Sequence, residues 1–316
     1  MRTGPPACTG PDVPKLVITV DTEISNFPDG MGLWGRIDGQ DWGLARMLRE
    51  LSAAGVKGTF FLDAYGGNDA EVGEQRRAAE MVVQTGHDLQ LHTHPGPAFE
   101  RKRDQLKHYS LAEQENVIGL GVERITAWSG KRPVLHRAGD WAANHDSLQV
   151  LKRQGFRADF SASPWSPNCG IDRALIKGNG WRRIDGLLCA VGTCYRDRLT
   201  GRTRRVDMGG VSFLEALDVL AHRTDPYLFT LHSFSLLRYN GARTKFAADT
   251  DYMPSMLRFV DRARRAGYET ATALEAVDAV EKLPELPWQP MPTTGAIASA
   301  AGILKSVRGR LGALSH

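Results

Sequence analysis

Several features that would each assign a class of protein are missing from this sequence. Only four of its 316 residues are cysteine, Cys8, Cys169, Cys189 and Cys194, and no CxxC pair occurs. Neither a zinc ribbon nor a disulfide framework is indicated, and Cys189 and Cys194 are expected to be ordinary thiols. The net charge is +4, with no block of like charges and no basic-aromatic ladder, so a nucleic-acid partner is not expected. No apolar run is long enough to cross a bilayer. Met1 to Pro14 lacks the apolar core of a secretion signal, which makes the cytoplasm the expected compartment. No repeat of the solenoid kind is visible.

What is present is a globular composition, 42% hydrophobic and 24% charged, on a chain long enough to bury a large core. Residues 1–14 read as a loose arm. Leu16-Val17-Ile18-Thr19-Val20-Asp21 is an apolar, β-branched run that suits a strand buried on both faces of a parallel sheet. The long stretch 24–40 reads as a functional loop. Asp41 is a plausible N-cap for a helix carrying Leu44, Met47, Leu48 and Leu51, which Gly55 closes. Further strands are expected at Gly58–Asp63, Leu89–His94, Val134–Arg137, Ala158–Ala162, Tyr227–His232 and Glu269–Thr272. Helices are expected at 71–85, 110–127, 144–154, 212–222, 252–266 and 273–282. Ser110 and Glu113 have capping-box spacing. Residues 163–210 show little pattern beyond one strand near Arg183–Leu188. Seven strand–helix units predict an α/β fold, a parallel sheet closed into a barrel over residues 15–283.

Polar residues then gather at one end of this barrel. In Leu89-Gln90-Leu91-His92-Thr93-His94-Pro95 the two histidines share a face, because residues i and i+2 of a strand point the same way. Asp21, Glu23, His92, His94, Arg137, Asp140 and His232 all fall at or just past strand C-termini, where barrels of this type place their active sites. His87 is on the other parity at the start of its strand and is expected to be structural. His108, His136, His145 and His222 have no such setting, and Trp34, Trp42 and Trp165 are expected in the core.

The order Thr19-x-Asp21-x-Glu23, Gly86-His87-Asp88-x-x-x-His92, Arg137-x-Gly139-Asp140-Trp141 and Leu231-His232-Ser233 resembles the polysaccharide deacetylase family, metal-dependent sugar N-deacetylases. Gly55-Val56-Lys57-Gly58-Thr59-Phe60-Phe61 is similar to the segment between that family's first two motifs. The resemblance covers residues 15–280. It implies a distorted (β/α) barrel of seven or eight mostly parallel strands, a divalent metal, and hydrolysis of an acetamido group. The family's common second motif spaces its histidines four apart; here Gly96 holds that position and His94 is read as the replacement.

The resemblance implies Glu23, His92 and His94 as ligands of one divalent metal, and such an oxygen and two nitrogens suit zinc. Asp21 becomes the general base, Arg137 the group that orients it and keeps it ionised, and His232 the general acid. Asp140 is read as fixing a histidine tautomer from behind, and Trp141 as a wall for a sugar ring or acetyl methyl. The implied partner is an acetylated sugar, nucleotide sugar or glycan. Alternatives are another metal-dependent barrel hydrolase, of phosphoesterase or amidohydrolase type, and a catalytically silent carbohydrate-binding relative.

Residues 284–316 read as a Pro-rich linker (284–294) and a basic amphipathic tail. Ile297, Ala300, Ala301, Leu304, Val307, Leu311 and Leu314 recur at helical spacing, with Lys305, Arg308 and Arg310 as the only charges after Gly295. A peripheral contact with the inner membrane surface is expected of such a tail, with a helix packed on the barrel as the alternative.

Overall fold

The buried apolar runs become parallel strands, as their lack of alternation requires. The computed structural model describes residues 13–24, 27–207 and 210–314, with backbone only beyond Ser306. The arm at 1–12 with Cys8, and the tail side chains Val307, Leu311 and Leu314, lie outside the described residues. The first strand, Lys15–Thr22, is buried from Leu16 onward. Seven parallel strands follow one another across the sheet: Tyr227–His232, Lys15–Thr22, Thr59–Asp63, Asp88–Thr93, Leu135–Ala138, Ala158–Ala162 and Leu187–Val191. Glu269–Ala271 adds a short parallel partner at the start of the first strand.

Curvature is forced on this sheet. Leu135–Ala138 lies three strands from Lys15–Thr22, about 14 Å on a flat sheet, yet Arg137 Nη1 donates to Asp21 Oδ1 at 2.6 Å. The sheet must curl to bring the two faces inward, giving the expected distorted barrel. Among the described residues no ladder closes it. The gap between Tyr227–His232 and Leu187–Val191 is crossed by a side chain instead, the Leu228 N–H donating to Thr193 Oγ at 2.8 Å.

The helices pack outside the sheet. Ser110 and Glu113 form the capping box that their spacing predicts, starting the helix Leu111–Ser129. That helix approaches the sheet through Gly121, where a Cβ would collide with the Tyr65 hydroxyl and with Leu91.

Three readings change. Asp41 is not an N-cap: it pairs with Arg36 in a two-residue ladder, and Gly43 precedes the helix Leu44–Ala53. A Cβ on Gly43 would meet the carbonyls of Leu33 and Trp34, so the loop's return onto its own backbone selects glycine there. The illegible stretch 163–210 holds two antiparallel hairpins, Gly178–Ile184 with Leu187–Val191 and Cys194–Arg196 with Thr203–Arg205. The stretch read as a linker contributes an edge strand, Trp288–Pro290, antiparallel to Gly178–Ile184. The tail forms the helix Ala296–Leu314, which packs through Ala298, Ser299 and Gly302 and leaves Ile297, Ala300 and Leu304 of the predicted stripe exposed. Among the described residues no helix is long and apolar enough to cross a membrane.

Gly121→Ala should destabilise the fold by about 1–3 kcal/mol, the cost of overpacking a site with rigid neighbours. Urea unfolding followed by circular dichroism checks this; an unchanged midpoint would mean that the helix can shift freely.

Candidate active site

Two side chains from adjacent strand ends define the centre. Asp21 and His232 are register partners in neighbouring parallel strands, so both project at the same level. His232 Nε2 lies 4.0 Å from Asp21 Oδ2. The other carboxylate oxygen, Oδ1, accepts from Arg137 Nη1. Arg137 is fully buried, and its remaining donors reach Thr19 Oγ at 2.9 Å and the Phe160 carbonyl at 3.3 Å. Burial alone would raise the Asp21 carboxyl; the Arg137 guanidinium, then His92 and His232, outweigh it and hold the group below its ordinary range.

Two residues beyond Asp21, Glu23 faces the histidine pair. Its Oε1 is 3.2 Å from His92 Nε2 and 3.5 Å from His94 Nε2, and the two rings are 5.0 Å apart. The opposite nitrogens are already committed. His92 Nδ1 donates to the Arg137 carbonyl at 2.9 Å, and His94 Nδ1 to Asp104 Oδ2 at 2.7 Å. Both Nε2 atoms therefore converge, with Glu23, on one point. Ligand atoms each ~2.1 Å from a tetrahedral zinc lie roughly 3.4 Å apart, close to the spacing that Glu23 Oε1 keeps from each histidine, and all three ligand atoms lie within 4.8 Å of one another. Asp21, Glu23 and His232 form an overlapping group that shares Glu23.

The charges reinforce that geometry. Burial would raise Glu23, yet the His94 charge and hydrogen bonds from both histidines hold its carboxyl well below the usual range. Burial would lower His94, yet Glu23 and then Asp104 hold it well above 6.5.

Of the residues singled out in the sequence, Asp21, Glu23, His92, His94, Arg137 and His232 come together here. Trp141 lies beside them, its ring 5.1 Å from the Arg137 guanidinium. Asp140 does not take the part expected of it. It is exposed and accepts from Gln105 Nε2 at 3.0 Å, with no histidine partner among the described residues. It occupies a turn at φ 55°, which aims its side chain out of the barrel mouth. Asp104 fills that role instead, from a loop ten residues past His94. Its second oxygen accepts from the Gly96 N–H at 3.1 Å, so the position where a more widely spaced histidine would stand is used to anchor this carboxylate. Asp63 was also missed. It ends its strand in register with His92, and burial, with Glu23 and Asp104 nearby, pushes its carboxyl up to about 7. The strand-end argument that selected Asp21 applies equally to Asp63; nothing in the local pattern marks Asp104. Ser233 holds the turn after His232, its N–H donating to the Asp21 carbonyl at 2.8 Å and its hydroxyl to the Gly32 carbonyl at 2.7 Å. His87 is structural, accepting from the Gly58 N–H at 3.0 Å. His136 is buried against Asp159 at 2.8 Å, behind the site. Of the tryptophans, Trp34 is buried and Trp165 is exposed at the rim.

The polysaccharide deacetylase family model matches residues 38–158. That stretch of the chain is similar to polysaccharide deacetylases. His92, His94 and Arg137 fall inside the matched stretch, while Asp21, Glu23 and His232 reach the site from outside it. A peptidoglycan deacetylase-like protein of Gibberella zeae is 24% identical over 160 residues, 47% of this chain and 44% of that protein. The chain thus matches less than half the length of this curated relative. A crystal structure of a candidate polysaccharide deacetylase from Mycobacterium smegmatis superposes with a TM-score of 0.57 at 15% identity, covering 90% of this chain and 97% of the other. A CE4 family pseudoenzyme from Bacillus anthracis gives 0.48 at 14% identity, covering 85% and 67%. The Mycobacterium likeness bears on the fold alone.

Two outcomes follow for this site. His92→Ala and His94→Ala should each lose bound metal after zinc loading and desalting, measured by elemental analysis; unchanged content in both would remove them as ligands. Glu23 and Asp104 raise the His94 pKa, which favours its protonated form in the metal-free protein. A metal ion needs the Nε2 lone pair, so that proton must leave. Zinc uptake at pH 7 should then release at least about one proton, read by calorimetry in buffers of different ionisation enthalpy. Zero release would contradict the charge assignment at His94.

Proposed function

We propose that this protein is a metal-dependent hydrolase that removes the N-acetyl group from a sugar or glycan. The observation that carries the reading is the convergence of an acid–base pair, Asp21 and His232, on the Glu23, His92 and His94 donor set. Glu23, His92 and His94 would hold the ion, probed first as zinc, which supplies carbonyl polarisation and a water made more acidic.

The remaining work belongs to the chain's own groups. Asp21 Oδ1 is tied to Arg137, which leaves Oδ2 to take a proton from the attacking water. Held below its ordinary pKa, Asp21 is ionised at neutral pH and is a weak base, so it suits only a water that is already acidified. His232 Nε2, on the other side of the same position, gives a proton to the departing amine, which leaves poorly as an anion. Phe234 stacks on the His232 ring at 4.7 Å and limits its rotation. Trp141 closes one wall, and its buried face excludes water from the Arg137–Asp21 pair. The family and the fungal relative named for peptidoglycan support a polymeric or oligomeric acetylated glycan as the substrate class.

The test is acetate release from N-acetylated glycan oligomers by zinc-loaded protein. Asp21→Asn and His232→Ala should each lower turnover ~10²–10⁴-fold while retaining metal and fold. Near-normal turnover in either variant would take that residue out of the mechanism. No acetate from any N-acetylated sugar, with metal bound, would favour a silent carbohydrate-binding relative.

A further inference from the structure

The hairpin Cys194–Arg196 and Thr203–Arg205 ends in a tip of unusual make-up: Arg196-Asp197-Arg198-Leu199-Thr200-Gly201-Arg202. Its one acid is turned inward. Asp197 is fully buried, and its Oδ1 accepts from the Leu199 and Thr200 N–H groups and from the Thr200 hydroxyl. Left outside are Leu199, 53% exposed, and the exposed side chains of Arg196, Arg198 and Arg202. None of these three arginines has a carboxylate within ion-pair distance among the described residues.

The tip is locked to the start of the last helix. The Thr294 N–H donates to the Arg196 carbonyl at 3.0 Å, the Arg198 N–H to Ser299 Oγ at 3.1 Å, and Arg198 Nε to the Thr294 carbonyl at 3.3 Å. The helix turns its small residues inward. Gly302 is pressed so closely on the Glu215 carboxylate that a Cβ would not fit. Its large apolar residues therefore face solvent: Ile297 is 81% and Leu304 60% exposed, seven residues apart and so on one side. Leu214, on the adjoining helix Phe213–Leu220, is 47% exposed. No acid occurs from Gly295 to His316, while Lys305, Arg308 and Arg310 do.

Large apolar side chains held in water beside arginines that have no carboxylate partner describe a surface with an absent partner. A symmetric dimer through this face would bring the arginines of the two copies toward one another. A surface that offers both apolar depth and negative charge satisfies both halves of the patch. We infer that this face docks on an anionic lipid bilayer, with Leu199, Ile297 and Leu304 entering the headgroup boundary and Arg196, Arg198 and Arg202 meeting lipid phosphates. At the hairpin's base Arg205 lies over the Trp141 ring at 5.7 Å. The tip is four residues on, about 13 Å along a strand, so docking would hold the barrel mouth close to the membrane.

Co-sedimentation of the full chain with phosphatidylcholine vesicles, with and without phosphatidylglycerol, tests this. Binding is expected only with phosphatidylglycerol and is expected to fall in high salt. Arg196→Gln, Arg198→Gln and Arg202→Gln together should weaken it about a hundredfold, at roughly fivefold per arginine. Ile297→Ser with Leu304→Ser, substitutions at exposed positions that the fold does not depend on, should weaken it tenfold or more. No binding to phosphatidylglycerol vesicles, equal binding to both vesicle types, or binding unaffected by both variants would overturn the inference. So would a dimer in sedimentation velocity that the Ile297→Ser, Leu304→Ser protein loses, which would give the face to a second copy.

Discussion

The fold and the chemistry both hang on one buried guanidinium. Arg137 sits at zero exposure in the barrel interior, with its ring-facing sides covered by Phe61 at 4.4 Å and Trp141 at 5.1 Å. A charge so placed is tolerable only if it is paired and its donors are filled. Asp21, Thr19 and the Phe160 carbonyl do this, and they belong to two other strands. The same residue's carbonyl takes the Nδ1 proton of His92. One position therefore keeps the proposed base ionised, selects the tautomer of a proposed ligand, and requires the sheet to curl. Removing one partner of such a pair typically costs about 3–5 kcal/mol, because the other charge is left buried alone. Replacing both with apolar residues would be far milder for the fold and fatal to the site.

That dependence explains which parts of the molecule could be read in advance. Strands buried on both faces write themselves as runs such as Leu16–Val20, and a polar residue where such a run stops has a reason for being there. Asp21, Glu23, His92, Arg137 and His232 were legible on those grounds alone. His94 was legible through parity. The antiparallel hairpins of 178–205 were not, because most of their strands are short and their pairing is decided by distant segments such as Trp288–Pro290. Asp140 misled for a similar reason. It follows a strand end, but the backbone turns through positive φ at both Asp140 and Trp141, which exchanges the directions that strand continuation would give.

The shorter histidine spacing has its own structural cost, visible in the residues around His94. Past the end of its strand, the ring must be steered by contacts that do not come from the strand itself. Asp104 grips one side, and on the other Gly139 lies so near the ring that a Cβ there would overlap Nε2. The glycine in Arg137-x-Gly139-Asp140-Trp141 thus belongs to the ligand geometry more than to the turn: its φ is not in the left-handed region, and its value is that it has no side chain.

The balance of charge at the barrel mouth supplies the last step. Asp21, Glu23, Asp63 and Asp104 approach a buried volume in which Arg137 is the one permanent cation among these site residues, with His94 drawn into protonation beside them. Asp63 eases the excess, its carboxyl pushed up to about 7, which favours the protonated form. A group in that state is held there by its neighbours' negative charge as well as by burial. A divalent cation on Glu23, His92 and His94 would reverse the sign of the local field, let Asp63 ionise and release His94's proton. The metal-free arrangement is therefore one in which protons stand in for a cation, on side chains that already stand together.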